Sequence, residues 1–385
     1  PEPPLKPTHR TTHNLHQPTM PTITKDPAHI VEHLLEGKPA VIPTETVYGL
    51  AAVNTNHNAL RAIFTLKGRP LFNPLITHCP TTHHARELAA HWPQEATALA
   101  ARFWPGPLTI VLQKRTDDPR TAIPDLVTAG LPTAAIRVPS HPVTLEILRQ
   151  LDDHAINPPA PLAAPSANRA GRTSPTTAQH ASDEFHAVPG AEDLLILDAG
   201  PTAAGIESTI IDLSNPQTPA LLRPGPVPHT ELEAVLGRQL TLTPGAAPKH
   251  ASTEPTAPTS PGQLKHHYAP NKPLLLLTIT GHDATRDADI DPARLQRAIN
   301  SALPDHAASP ARLPLDPEPT IAARTLYANL RALDNDHRAS CIVAILTPPY
   351  APPHGTSNTH DHPHPHARAI LDRLTRAASA TITLT

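Results

Sequence analysis

Apolar positions along the chain fall into helical and strand-like groups that take turns. In 27–37, Ile30, Val31, Leu34 and Leu35 form a helical stripe, with Pro27 suited to the first turn and Gly37 to the stop. Ala40-Val41-Ile42-Pro43 predicts a short buried strand. It runs into Thr44-Glu45-Thr46-Val47-Tyr48-Gly49-Leu50, too polar at its start for a plain core strand. The spacing predicts helices over 58–67, 85–90, 95–103 and 141–151, and strands over 74–78, 108–112 and 134–138. Residues 161–168 read as a small-residue strand opening into a Gly/Ser/Thr loop through Ser174-Pro175-Thr176. Strands at 194–197, 208–213 and 220–222 then follow one another directly, which argues for a mixed rather than a purely parallel sheet.

From about 240 to 265 the sequence is rich in Pro, Thr and Ala and lacks periodicity, as a linker does. A second α/β unit follows, with strands at 274–279 and 341–346 and helices at 292–303, 320–333 and 367–378. The expected division is a disordered extension over 1–19, a first domain over 20–238, a linker over 239–272 and a smaller domain over 273–385.

Composition narrows the function classes. The chain has 385 residues, 51 of them proline, and 26 histidines with a formal net charge of −3, so no global basic field announces nucleic acid or an anionic membrane. Cys79 and Cys341 stand far apart without metal-ligand spacing, which points to neither a disulfide framework nor a zinc site and favours a reduced, cytoplasmic setting. No apolar run approaches the ~18 residues that span a bilayer. The His-rich tract around 354–366 is read as a solvated loop and receives no role.

The informative positions are polar residues at the ends of apolar strands: Thr44 and Thr46, His78, Arg137, Ser166 and Asn168, Ser208 and Arg223. Ligands of open α/β sheets gather outside strand ends, so one pocket can collect these residues. Singly, each has a structural explanation as an ion pair, a cap or a turn. The basic stretch Lys67-Gly68-Arg69-Pro70, followed by Leu71-Phe72-Asn73-Pro74-Leu75, admits two readings. Its cations complement a helix C-terminus, or they clamp a phosphate-bearing ligand. Neither a P-loop nor a GxGxxG motif is present, and Ser166 is not in a nucleophile elbow.

Together these stretches resemble one family. Residues 43–50 and 67–75, Trp104-Pro105-Gly106-Pro107-Leu108-Thr109, Ala135-Ile136-Arg137-Val138-Pro139, Ala164-Pro165-Ser166-Ala167-Asn168 and Glu207-Ser208-Thr209-Ile210-Ile211-Asp212 with Arg223-Pro224-Gly225 are similar, in order, to the YrdC-like threonylcarbamoyl-AMP synthases. Residues 260–270 and the second unit resemble the linker and Rossmann-like extra domain of the long members. Ala51 departs from the pattern, where a Gly is common, and so does the His-rich approach to Ala369.

The resemblance implies a YrdC-like twisted mixed sheet with helices around a central pocket, plus a smaller C-terminal Rossmann-like α/β domain. It implies a reaction of L-threonine, bicarbonate and ATP that gives threonylcarbamoyl-AMP and pyrophosphate, with Mg²⁺ accompanying ATP. The product feeds N6-threonylcarbamoyladenosine formation on tRNA through separate transferase proteins. Carried over by position, Thr46, His78, Arg137, Ala164 and Ser208 face L-threonine, and Lys67 and Arg69 are the catalytic pair on the triphosphate. Asn73, Thr133, Ser166, Asn168, Ser174, Arg223, His267 and Tyr268 are further ATP contacts, the last two on a linker stretch that is either a lid or a tether. The alternative is a double-stranded RNA-binding YrdC-like module without synthase activity. A hydrogenase-maturation carbamoyltransferase would carry Cys-rich zinc modules that two scattered cysteines cannot form.

Overall fold

The computed structural model describes residues 20–118, 121–154, 161–242, 260–261, 267–279, 291–306, 309–351 and 364–384. Helix α1 (Pro27–Leu35) starts where the Asp26 carboxylate accepts from the Ala28 N–H at 3.0 Å, and it buries Ile30, Val31 and Leu34. Helix α2 (His57–Lys67) is capped by Asn56, buries Leu60, Ile63, Phe64 and Leu66, and stops at Gly68 in the left-handed conformation (φ 58°). The helix-end reading of Lys67 therefore holds: it is the last residue of α2.

An 11-stranded mixed sheet forms the larger body. Within it, β2 (Ala40–Ile42) turns back antiparallel onto β3 (Gly49–Val53), which borders β7 (Leu162–Ala163). Strand β4 (Ile76–His78) lies between β7 and β6 (Thr133–Arg137), parallel to the latter with His78 opposite Arg137. Beyond β6 come β5 (Leu108–Gln113), antiparallel to it, and β9 (Thr209–Asp212), parallel to β5. Strand β10 (Ala220–Arg223) is antiparallel to β9 and carries β11 (Thr241–Leu242). On the far side, β8 (Leu195–Leu197) joins β2 to β1 (Thr22–Thr24). The small-residue run after Pro161 contributes only two strand residues, because its chain leaves the ladder at Ala164 to become loop.

The smaller body is a four-stranded parallel sheet in the order β13-β14-β12-β15. Its strands are β12 (Leu274–Ile279), β13 (Pro310–Arg312), β14 (Cys341–Leu346) and β15 (Ala380–Leu384). Helices α9 (Pro292–Ala302), α10 (Pro319–Asn335) and α11 (Pro365–Ala377) complete it. Most of the His-rich tract lies outside the described residues.

The two bodies share packing. Val47 and Ile206 of the large body bury against Leu326, Tyr327 and Leu371 of the small one, with Tyr268 between them. Gly205 has φ +73°, and a Cβ there would meet the Arg324 backbone at 2.4 Å, so only glycine lets α10 lie this close.

Candidate active site

One cavity collects most of the polar residues singled out in the sequence. Its wall includes Thr46, His78, Arg137, Ala164 and Ser208, and also Arg69, Ser166, Arg223, His267 and Tyr268. Thr44, Val47, Gly49, Ile76, Pro165, Glu207 and Pro261 complete it. Ile76 and His78 stand two apart on β4 and so on one face, which sets the cavity against a sheet face rather than only outside strand ends.

The loop from β2 to β3 is folded by its own hydroxyls. Thr44 Oγ1 donates to the Val47 carbonyl at 2.6 Å and accepts from the Thr46 and Val47 N–H groups at 3.2 Å. Thr46 Oγ1 lies 2.8 Å from Thr44 Oγ1, and Arg137 Nη1 donates to Thr46 Oγ1 at 3.0 Å. Arg137 Nε donates to the Gly106 carbonyl at 3.1 Å, presented by the Trp-Pro-Gly-Pro turn. Arg137 Nη2 stands 2.7 Å from Glu45 Oε1, yet neither this nitrogen nor either Glu45 oxygen completes an aligned hydrogen bond. Burial raises the Glu45 carboxyl, but the Arg137 charge prevails and holds it below the usual carboxylate value. His78 is pushed down to about 3 by burial and by Arg137, so its ring is neutral near pH 7.

At the other end, Arg69 is held by the carbonyls of Asn73 (3.1 Å) and Pro74 (2.7 Å), and burial lowers it to about 9. Arg223 donates through Nε to the Ser208 carbonyl and through Nη2 to its hydroxyl, both at 3.0 Å. Ser208 Oγ also lies 2.7 Å from Thr109 Oγ1. Tyr268, at φ +67°, stacks on Tyr327 with 5.9 Å between ring centroids, and its buried hydroxyl has no hydrogen-bond partner among the described residues. His267 packs edge-on to it and is pushed to about 3 by burial.

Five of the expected ATP contacts do not line this cavity. Lys67 donates to the Ser166 carbonyl at 2.5 Å and to the Asn168 carbonyl, and it opens onto a neighbouring cleft with Arg169 and Arg172. Burial, then the charge of Arg69, lowers its amine well below the usual lysine value. Asn168 is spent on loop carbonyls of Arg169 and Arg172, both at 2.8 Å, and Ser174 donates to Glu207 at 2.5 Å. Asn73 is buried behind Arg69. Thr133 opens β6, four residues or about 13 Å of strand from Arg137, which removes it from the cavity.

Two acidic residues without an expected role belong to the site. Glu45 faces Arg137, and Glu207 lines the cavity while accepting from the Tyr327 hydroxyl (2.9 and 3.1 Å) and Arg373 Nε (3.2 Å). The available signal was a carboxylate placed just before an apolar strand, in Glu207-Ser208-Thr209-Ile210-Ile211.

Comparison with known proteins follows the same map. Residues 32–225 match the Sua5, YciO and YrdC family profile described as "Telomere recombination", and residues 227–379 match "Threonylcarbamoyl-AMP synthase, C-terminal domain". The threonylcarbamoyl-AMP synthase of Pyrococcus abyssi is 41% identical over 63% of this chain and 65% of its own length. That of Bacillus subtilis is 40% identical over 66% of this chain and 67% of its own length, so these alignments span about two thirds of either relative. The crystal structure of P. abyssi Sua5 complexed with L-threonine superposes with a TM-score of 0.75 at 30% identity, covering 95% of this chain and 99% of that one. The chain therefore belongs to the Sua5/YrdC-like family, in the form that carries the Sua5 C-terminal domain.

Proposed function

We propose that this chain is an L-threonylcarbamoyladenylate synthase, joining L-threonine, bicarbonate and ATP into threonylcarbamoyl-AMP with release of pyrophosphate. The observation that carries the reading is the convergence of Thr46, His78, Arg137, Ala164 and Ser208 on one cavity, in a chain similar along nearly its whole length to a protein solved with L-threonine.

In this reading Arg137 receives the threonine carboxylate. Its Nη1 and Nε are already fixed by Thr46 and Gly106, while Nη2 retains an unaligned bond, so the guanidinium is oriented but not saturated. The threonine amine adds to bicarbonate to give a carbamate with loss of water. A carbamate oxygen then attacks the α-phosphorus as pyrophosphate departs. No protein nucleophile is needed, and catalysis is positioning and charge stabilisation. Arg69 and Arg223 supply fixed positive charge to the nucleotide from inside the cavity. Lys67 acts from behind, holding the 166–168 backbone in place.

Among the described residues no cluster of three or more His, Cys, Asp or Glu can hold a metal ion, and the hydrogen-bonding capacity of Glu207 is spent. The described residues around the cavity thus offer no metal-ligand set of their own. Mg²⁺ enters as the companion of ATP, and no step here runs through it. The product would pass to tRNA-modifying transferases that form threonylcarbamoyladenosine. Among the described residues no helix is long and apolar enough to cross a membrane, and we assign the protein to the cytoplasm.

The test is pyrophosphate release from the purified chain supplied with each subset of the three substrates. Release is expected only with all three, and Lys67→Ala should keep threonine binding while losing adenylate formation. ATP turnover indifferent to threonine would overturn the reading.

A further inference from the structure

The small body does more than sit beside the cavity. Among the described residues, Arg368 and Arg373 are the largest fully buried side chains, and Arg373 reaches across the domain boundary. Its Nε donates to Glu207 Oε2 at 3.2 Å, its Nη2 lies 3.5 Å from the Glu207 carbonyl, and its Nη1 donates to the Pro224 carbonyl at 2.5 Å. Its guanidinium also lies over the Tyr268 ring at 5.4 Å. From the neighbouring helix, the Tyr327 hydroxyl meets both Glu207 oxygens while its ring stacks on Tyr268. Two side chains of the small body thus grip one wall residue of the cavity, Glu207, and back another, Tyr268. Ser208, which lines the cavity with its own hydroxyl, is the next residue in the chain.

We propose that Arg373 and Tyr327 are positioning residues of this cavity, fixing Glu207 and through it Ser208, and backing Tyr268 directly, from the C-terminal domain. Neither lines the cavity itself. What the cavity binds rests on the synthase reading, but the grip itself does not.

Charge decides how the grip is tested. Burial raises the Glu207 carboxyl, and the charges of Arg373 and Arg223 with the Ser174 hydroxyl outweigh it. Arg223 spends its nitrogens on Ser208 and the Pro261 carbonyl and makes no hydrogen bond to Glu207. His267, Tyr268 and Tyr327 face the carboxylate uncharged near pH 7, and Asp372 pairs with Arg373 from its outer side at 3.2 Å. Loss of Arg373 removes the first of the groups that oppose burial of the Glu207 carboxylate, so its folded value moves up. A carboxyl whose folded value is raised above its unfolded one loses stability as pH rises through the folded value.

The experiment uses the full chain as wild type, Arg373→Gln, Arg373→Lys, Glu207→Gln and the Arg373→Gln/Glu207→Gln double variant. Thermal midpoints are read from pH 5 to 9, and L-threonine affinity is read by calorimetry at pH 5 and 8. Arg373→Gln is expected to show a deficit in midpoint that widens from pH 5 to 9. Adding Glu207→Gln should flatten it, and Arg373→Lys should restore part of it. Threonine affinity in Arg373→Gln should fall by about tenfold at pH 8 and by less at pH 5. A deficit equal at every pH, or an unchanged threonine affinity at pH 8, overturns the proposal. If the wild type binds no threonine, the synthase reading falls, and the stability measurements alone decide whether Arg373 holds Glu207.

Discussion

Among the described residues, two guanidinium–carboxylate pairs, Arg137 with Glu45 and Arg373 with Glu207, are buried beside one cavity and are built differently. Arg137 and Glu45 both belong to the large body, and their 2.7 Å contact leaves both carboxylate oxygens and one guanidinium nitrogen without an aligned hydrogen bond. Glu207 accepts from Ser174, Tyr327 and Arg373, the last two across the domain boundary. The first pair leaves one Arg137 N–H incompletely bonded, a donor of the kind a ligand carboxylate takes, while the Glu45 oxygens can only accept. The second has spent its capacity on holding parts together. A buried pair that is completely satisfied suits a joint, and one that is held but incomplete suits a binding site.

The saturated pair should carry the larger share of stability. Glu207→Ala strips Arg373 of its inner carboxylate and leaves it only Asp372 on its outer side, so stability should fall by about 3 kcal/mol, the low end for a broken buried pair, read from urea denaturation. A loss under about 1 kcal/mol would put both pairs on the same footing. Next in size, Arg137→Ala should weaken L-threonine binding by roughly ten- to a hundredfold, the range of a hydrogen bond to a charged group, while nucleotide binding is largely kept. Unchanged threonine affinity would move the substrate elsewhere in the cavity.

The smallest effect concerns the histidine near each pair. His78, beside Arg137, and His267, beside Tyr268, are each pushed to about 3 by burial. In both cases the unfolded chain binds more protons once the pH drops below the ordinary histidine value. Stability is therefore full above about 6.5 and erodes as the pH falls toward 3. Thermal midpoints from pH 7.5 to 4 should decline for wild type and less for His78→Gln and His267→Gln. Identical slopes in all three would show that these rings exchange protons freely in the folded state.

Much of this was legible along the chain. The stripe of α2, its Asn56 cap and its Gly68 stop follow from local backbone chemistry, and the mixed sheet followed from strands succeeding one another over 194–223. Strand β15 and helix α8 (His229–Leu236) lacked a clean enough period to stand out, because each is only partly buried. Lys67 illustrates the limit at the site. Its charge and its position after an apolar helix were plain, but nothing in the order of residues told whether the amine would face a ligand or the carbonyls of Ser166 and Asn168.

Most elements, the polar residues displaced into apolar strands, and the family resemblance those motifs carry could be read along the chain. These are local properties, set by side-chain periodicity and backbone propensity. Tertiary packing was needed to place Thr133 away from the cavity, to face Glu45 with Arg137, and to bring Arg373, 166 residues on in the chain, against the wall residue Glu207 from outside the cavity. Such pairings depend on strand order and domain docking. A charge is buried only where the fold brings it a partner, and that partner lies at no fixed distance along the chain.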